Sequence, residues 1–185
     1  MTAFDAAHRL EDDLVRLTPL APADRVALAE AASDPLIWEQ HPAKDRYKPE
    51  VFDRYFDFLL DGGGTLVARE KSSGAVIGCS RYYVGPDAPE DIGIGFTFLI
   101  RRHWGGPMNW RMKTLMLDHA FQTFDRVWFH VADDNMRSRK GTEKLGVVLH
   151  QIAAFDLHGA HANWVCYRLD KAIWQDQKRK RAARD

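Results

Sequence analysis

The run Arg101-Arg102-His103-Trp104-Gly105-Gly106-Pro107-Met108-Asn109 lies between an apolar segment, Gly95-Phe96-Thr97-Phe98-Leu99-Ile100, and an amphipathic one. A basic, glycine-containing turn from strand into helix suits phosphate, because the first N–H groups of a helix lack intrahelical partners and sit at the positive end of its dipole. Glycine pairs also precede helices for steric reasons, so a plain tight turn is the competing reading. His158-x-x-His161, with His150 nearby, has metal-like spacing but no third ligand close in sequence. Solvated histidines in a hairpin loop, and no metal, are expected there. Lys178-Arg179-Lys180-Arg181 has no interleaved aromatic residue, which favours a solvated helix end over an RNA contact.

The elements that must position the turn follow from periodicity. Leu14 to Thr18 alternates as a strand, and Pro22-Ala23-Asp24 opens a helical pattern through Val26, Leu28, Ala29 and Ala32. Glu50 to Leu60 places Val51, Phe52, Tyr55, Phe56 and Leu59 at helical spacing, ended by Gly62-Gly63-Gly64. Thr65 to Arg69 and Ala75 to Tyr83 read as an antiparallel hairpin, and Pro86, Pro89 and the acidic residues near them as a loop before a strand from Ile92 to Ile100. A helix from about Met108 to Phe124, a strand Val127 to Val131, a short helix Asn135 to Leu145 and strands Val147 to Phe155 and Asn163 to Leu169 complete the chain. This order predicts an α/β (α+β) fold with a mixed sheet and helices on its faces.

The 185 residues fit a single domain, 1–185, with about 171–185 as a basic C-terminal tail. Zero formal net charge gives no global pull towards nucleic acid or an anionic membrane. Cys79 and Cys166 lie in apolar strand-like segments, which predicts buried thiols, a reducing compartment and a cytoplasmic location. No export signal or membrane span is expected.

Four ordered blocks resemble the GNAT superfamily of acetyl-CoA-dependent N-acetyltransferases, in particular the Rim-type branch of ribosomal-protein N-terminal acetyltransferases. They are Gly95-Phe96-Thr97-Phe98-Leu99 leading to Trp104-Gly105-Gly106-x-x-Asn109, then Leu117-Asp118-His119-Ala120-Phe121, Asn135-x-Arg137-Ser138-Arg139 and Glu143-Lys144-Leu145-Gly146. The resemblance implies a mostly antiparallel sheet splayed between its fourth and fifth strands, with acetyl-CoA in the splay. It implies that the backbone of Phe98, Leu99 and Ile100 pairs with the pantetheine arm. Arg102, Trp104, Gly105, Gly106, Pro107, Met108 and Asn109 then line the pyrophosphate turn, and Pro107 stands where relatives carry glycine or alanine. Asn135, Arg137 and Ser138 are the further cofactor-binding residues, with a plain helix cap as the alternative for Asn135.

Direct attack by an amine on the thioester needs an oxyanion donor and proton carriers. The resemblance makes a backbone N–H near Phe98 or Leu99 the donor, with Leu99 the residue chosen. Gly93 stands where many relatives have a glutamate base and Thr142 where they have a tyrosine acid, so neither usual carrier is present. Asp91, two residues earlier, is the substitute base if the strand reaches it; solvent, His41 and His130 are the other options. The acceptor pocket of such a fold draws here on Trp38, His41, Arg46, Tyr47, Arg81, Tyr82 and Tyr83, with core packing as the alternative for Trp38; Arg46 and Arg81 are candidates for an acceptor carboxylate, with surface ion pairs as the alternative. The expected activity is acetyl transfer to a primary amine, either a protein N-terminus or a small molecule, in a chain for which a homodimer stays open. The rival is a catalytically weak acyl-CoA-binding protein of the same fold.

Overall fold

The computed structural model describes residues 4–86, 88–157 and 159–183 and divides into two compact units. The first comprises Met1–Tyr83 and Ile94–His119, the second Val84–Gly93 and Ala120–Asp185.

Within the first unit, β1 (Leu10–Glu11) pairs with β2 (Val15–Pro19), β2 with β3 (Thr65–Glu70), and β3 with β4 (Val76–Gly85), all antiparallel. Next to β4 in strand order comes β5 (Ala88–Leu99). Helix α1 (Arg25–Ala32) and helix α2 (Pro49–Asp61) supply the aliphatic and aromatic cover. Pro49 suits the first turn of α2, where a missing N–H costs nothing. Phe52, Tyr55, Phe56 and Leu59 recur at the helical period, so one face of α2 is buried with Leu28, Trp38, Val67, Cys79 and Phe98. Helix α3 (Met108–Ala120) buries Met112, Met116 and Leu117.

In the second unit, β5 pairs in parallel with β6 (Arg126–Ala132) at Ile92–Val127 and Gly93–Trp128. That parallel ladder covers two residues of a 12-residue strand. Strand β8 (Ala160–Asp170) pairs antiparallel with both β6 and β7 (Val148–Leu157). Helix α4 (Met136–Glu143) follows β6, and helix α5 (Lys171–Ala182) ends the described chain. The mixed, mostly antiparallel sheet with flanking helices agrees with the pattern read from sequence.

Several boundaries differ from that reading. Strand β5 begins at Ala88, so the segment taken as a loop is strand, and Pro89 is tolerated because it lies at the strand start. Helix α3 stops at Ala120, whose carbonyl takes both Thr123 and Phe124 N–H groups in a closing turn. The last hairpin is tighter than expected: Leu157 pairs with Ala160, and Gly159, at φ 84, donates its N–H to Asp156 Oδ1. His161 is thus a strand residue opposite Asp156, not a loop histidine, while His158 lies outside the described residues. The basic run Lys178 to Arg181 lies in α5, anchored by Trp174 at 1% exposure, with Lys180 paired to Asp176 at 2.7 Å. No described helix is long and apolar enough to cross a membrane.

Candidate functional site

Close packing fixes the course of β5 in the first unit. Gly78 has φ 149, and a Cβ there would lie 2.0 Å from the Phe98 carbonyl oxygen. Only glycine lets β4 and β5 approach this closely. Ile100 N–H, one residue past the end of β5, donates to Ile77 O at 2.9 Å. The Phe98 carbonyl and Ile100 amide therefore both face β4, and strand alternation turns the Leu99 N–H to the opposite edge. The Leu99 carbonyl accepts the Trp104 indole N–H at 2.9 Å, tying the turn back to the strand. Ile100 is a correction to the sequence reading: its N–H is taken by Ile77 and its carbonyl accepts His103 N–H, so it has no amide for a pantetheine arm. Of Phe98, Leu99 and Ile100, Leu99 is the residue that presents its amide outward.

After Ile100, a 3-10 turn over Arg101–His103 brings the chain to Trp104, Gly105 and Gly106, all exposed. Gly105 has φ 73, a left-handed conformation, and its Cβ position meets nothing within 4 Å. The first amide bonded within α3 is that of Arg111, to Pro107 O at 2.9 Å. The N–H groups of Met108 and Asn109 open the helix, where no carbonyl lies a turn behind to accept them, and Pro107 contributes none. This is an open cradle of orphan amides at a positive helix end, and it fits a pyrophosphate. Its basic residues have weak surface partners: Arg101 pairs with Asp34 and Arg102 with Glu70 at 3.2 Å. Exposed pairs of this kind exchange cheaply for a phosphate.

A second group in this unit gathers several of the expected acceptor residues. Trp38, at 2% exposure, donates its indole N–H to Ala32 O, so it is core; it meets His41 and Tyr55 at near-perpendicular rings, and the Arg46 guanidinium lies 5.6 Å over its ring. The Arg46 guanidinium lies 3.9 Å over the Tyr55 ring. Arg81 lies over Phe58 and Phe96 and donates to Gly63 O and Gly62 O at the C-terminal end of α2. Tyr83 meets Phe96 edge-on. Tyr82 points the other way and donates to Met116 O at 2.7 Å, so it leaves the acceptor set. Adjacent strand residues face opposite sides, which separates it from Arg81. Tyr47 is exposed at 36% and makes none of these ring contacts. His41 accepts the Ala43 N–H on Nδ1 at 2.9 Å, which occupies the lone pair a general base would use. Sequence reading missed Tyr55 and Phe58 because both sit on an apolar helical stripe and look like core. Phe96, at φ 51 within β5, is a strained backbone position that no sequence pattern reveals.

Lys113 was also missed. It is buried within α3 and donates to Ser80 Oγ at 3.1 Å and Thr97 Oγ1 at 2.7 Å. Burial pushes its ammonium down to about 7, against a weak opposing pull from Cys79. The unfolded chain keeps that proton to higher pH, so from about pH 7 upward the folded state gains stability as pH rises. Relative to Lys113→Met, the wild type should gain about 1 to 2 kcal/mol between pH 7.0 and 8.5 in urea denaturation. Parallel stability curves for the two proteins would contradict this.

In the second unit, Asp91 lies within β5 at 6% exposure. Its Oδ2 accepts the Trp128 indole N–H at 2.8 Å and pairs with Arg126 Nε at 3.0 Å. This carboxylate anchors β5 to β6, and its oxygens are committed to donors already present. His130 is buried between Trp128 and Phe155. Asn135 caps α4, its Oδ1 accepting Ser138 N–H at 3.1 Å, and Arg137 on the same helix is half-buried. Thr142 is buried in α4, and Tyr167 fixes that helix through Glu143 Oε1 at 2.6 Å. Among the described residues, no group of three His, Cys, Asp or Glu side chains is placed to hold a metal.

The family description "Acetyltransferase (GNAT) domain" matches residues 15–148. A GCN5-related N-acetyltransferase from Brucella melitensis superposes with a TM-score of 0.83 at 18% identity, over 98% of this chain and 86% of that one. RimJ of Mycobacterium smegmatis, solved with CoA-disulfide, gives 0.67 at 18% identity over 95% and 93% of the two chains. A ribosomal-protein-S5-alanine acetyltransferase from Vibrio fischeri gives 0.64 at 18% identity over 90% and 98%. No curated protein matches. A family match across residues 15–148, on a fold that these acetyltransferases share, makes this chain a member of the GNAT acetyltransferase family.

Proposed function

We propose that the chain is a cytoplasmic N-acetyltransferase that moves the acetyl group of acetyl-CoA to a primary amine by direct attack in a ternary complex. The observation that carries this reading is the segment Leu99 to Asn109. An outward strand amide at Leu99 is followed within ten residues by a left-handed Gly105 and the unpaired first amides of α3. Acetyl-CoA supplies an activated thioester. The N–H groups of Gly105, Gly106, Met108 and Asn109 hold its pyrophosphate, and the Leu99 N–H donates to the thioester oxygen as it gains charge. In the second unit, Asn135, Arg137 and Ser138 are the cofactor-binding residues, with Asn135 also serving as the helix cap.

Proton handling falls to solvent. The Asp91 carboxylate is tied to Trp128 and Arg126, the available lone pair of His41 is taken by Ala43, and His130 lies under aromatic rings. Positioning an amine against a thioester supplies much of the needed rate without a dedicated base. Asp91→Asn keeps an acceptor for the indole, so it should cost about 1 kcal/mol of stability and leave the pH profile of kcat/KM unchanged. That profile should rise with the acceptor's own amine pKa. A profile inflection abolished in Asp91→Asn would restore Asp91 as the base.

The acceptor is either a protein N-terminus or a small amine; a ribosomal-protein-S5-alanine acetyltransferase among the structural neighbours supports keeping the first. Following free thiol from acetyl-CoA with a panel of both tests the function. Amine-dependent thiol release is expected. Tight acetyl-CoA binding with no release on any amine would instead favour an acyl-CoA-binding protein, the reading that Gly93 and Thr142 support.

A further inference from the structure

Arg81 is a buried cation without a counter-ion. It is 5% exposed, and its Nε and Nη2 are satisfied by the Gly63 and Gly62 carbonyls, but its Nη1 is buried with no hydrogen-bond partner. An arginine stays ionised at any physiological pH, so burying one beside carbonyls and ring faces alone leaves charge uncompensated. Arg46 is half-buried over Tyr55, with its Nη1 3.1 Å from His41 Nε2. Among the described residues neither arginine has a carboxylate partner, although Arg25, Arg69, Arg101, Arg102 and Arg126 all do. The two guanidinium groups lie on neighbouring rings, since Tyr55 stacks on Phe58 at 6.2 Å and Phe58 meets Phe96 at 5.4 Å.

We infer that Arg46 and Arg81 form a subsite for a carboxylate carried by the amine acceptor. The assignment rests on the acetyltransferase reading and narrows its acceptor to amines that also bear a carboxylate. A planar, singly charged carboxylate matches the flat guanidinium fork and the ring walls. Arg46, the half-buried member, makes first contact. Arg81 supplies fixed positive charge and the two unused N–H groups of Nη1, at a place where the Gly62 and Gly63 carbonyls hold its guanidinium still. The strained Phe96, with ring faces for Arg81 and Phe58, lies three residues from the Leu99 amide, so the subsite and the acyl-transfer donor share one strand.

The test uses binding, so it stands apart from catalysis. Full-length protein with CoA is titrated calorimetrically with N-acetylglycine, N-acetylleucine and N-acetylphenylalanine, each as free acid and as primary amide. At least one free acid should bind about tenfold or more tighter than its amide. Arg46→Gln, checked for an unchanged melting temperature, should remove that preference and change amide binding less than about twofold. Arg81→Lys keeps the charge without the planar fork and should weaken the preference. Equal binding of acids and amides, no binding of any acid, or a preference untouched by Arg46→Gln overturns the assignment. Thiol release is measured in parallel: acid-selective binding without release on any amine would defeat the transferase reading while the carboxylate subsite stands.

Discussion

Gly105→Val is expected to weaken acetyl-CoA binding at least about tenfold, a loss of some 1.4 kcal/mol, while the protein stays folded. A Cβ at residue 105 meets nothing within 4 Å, so the variant creates no clash. Its cost arises at φ 73, where a side chain is disfavoured by about 1 to 2 kcal/mol. The turn escapes that strain by rotating Gly105 towards ordinary dihedrals, which swings the Gly105 and Gly106 amides away from their common direction. Exposed residues carry the change, so global stability should fall by no more than about 2 kcal/mol. Calorimetric titration with acetyl-CoA, beside a thermal melt, reads both quantities. A folded variant with unchanged affinity would remove the turn from the cofactor site.

Gly78→Ala should be far more damaging to the fold. Its new methyl group would lie 2.0 Å from a backbone oxygen, that of Phe98, which no rotamer change relieves. Either β4 and β5 separate or the strand bends, and in both cases Ile100 N–H loses Ile77 O. A destabilisation of about 3 to 5 kcal/mol is expected, or roughly 10 °C in melting temperature for a chain of this size. Because that pairing turns the Leu99 amide outward, any folded fraction should also lose acyl transfer more than acetyl-CoA affinity. A variant within about 1 kcal/mol of the wild type in urea denaturation would contradict the close approach.

The turn was legible because glycine and proline punctuate the chain and the periodicity changes across them. The helices were legible from their stripes, with ends misplaced by a few residues where backbone turn bonds close them, as at Ala120. Strand alternation alone would have sorted Arg81 from Tyr82, had it been applied to the acceptor residues. Other features depend on three dimensions. That Leu99 rather than Ile100 presents its amide follows from which carbonyl of β4 meets which amide beyond β5. Arg81 reads as one more surface arginine until its neighbours prove to be carbonyls and rings. Lys113 lies beside Met112 on a helix whose polar positions alternate with apolar ones, and nothing in that spacing marks it as buried. Asp91 illustrates the converse: the residue type suggested a base, and the structure surrounds it with donors.

We propose that the backbone amides from Leu99 to Asn109 hold the cofactor. Nitrogen-15 amide spectra recorded during a titration with CoA test it most directly. The Leu99, Gly105, Gly106, Met108 and Asn109 resonances are predicted to shift first and furthest, saturating together with one affinity. Saturable CoA binding that leaves these five amides unmoved would contradict it.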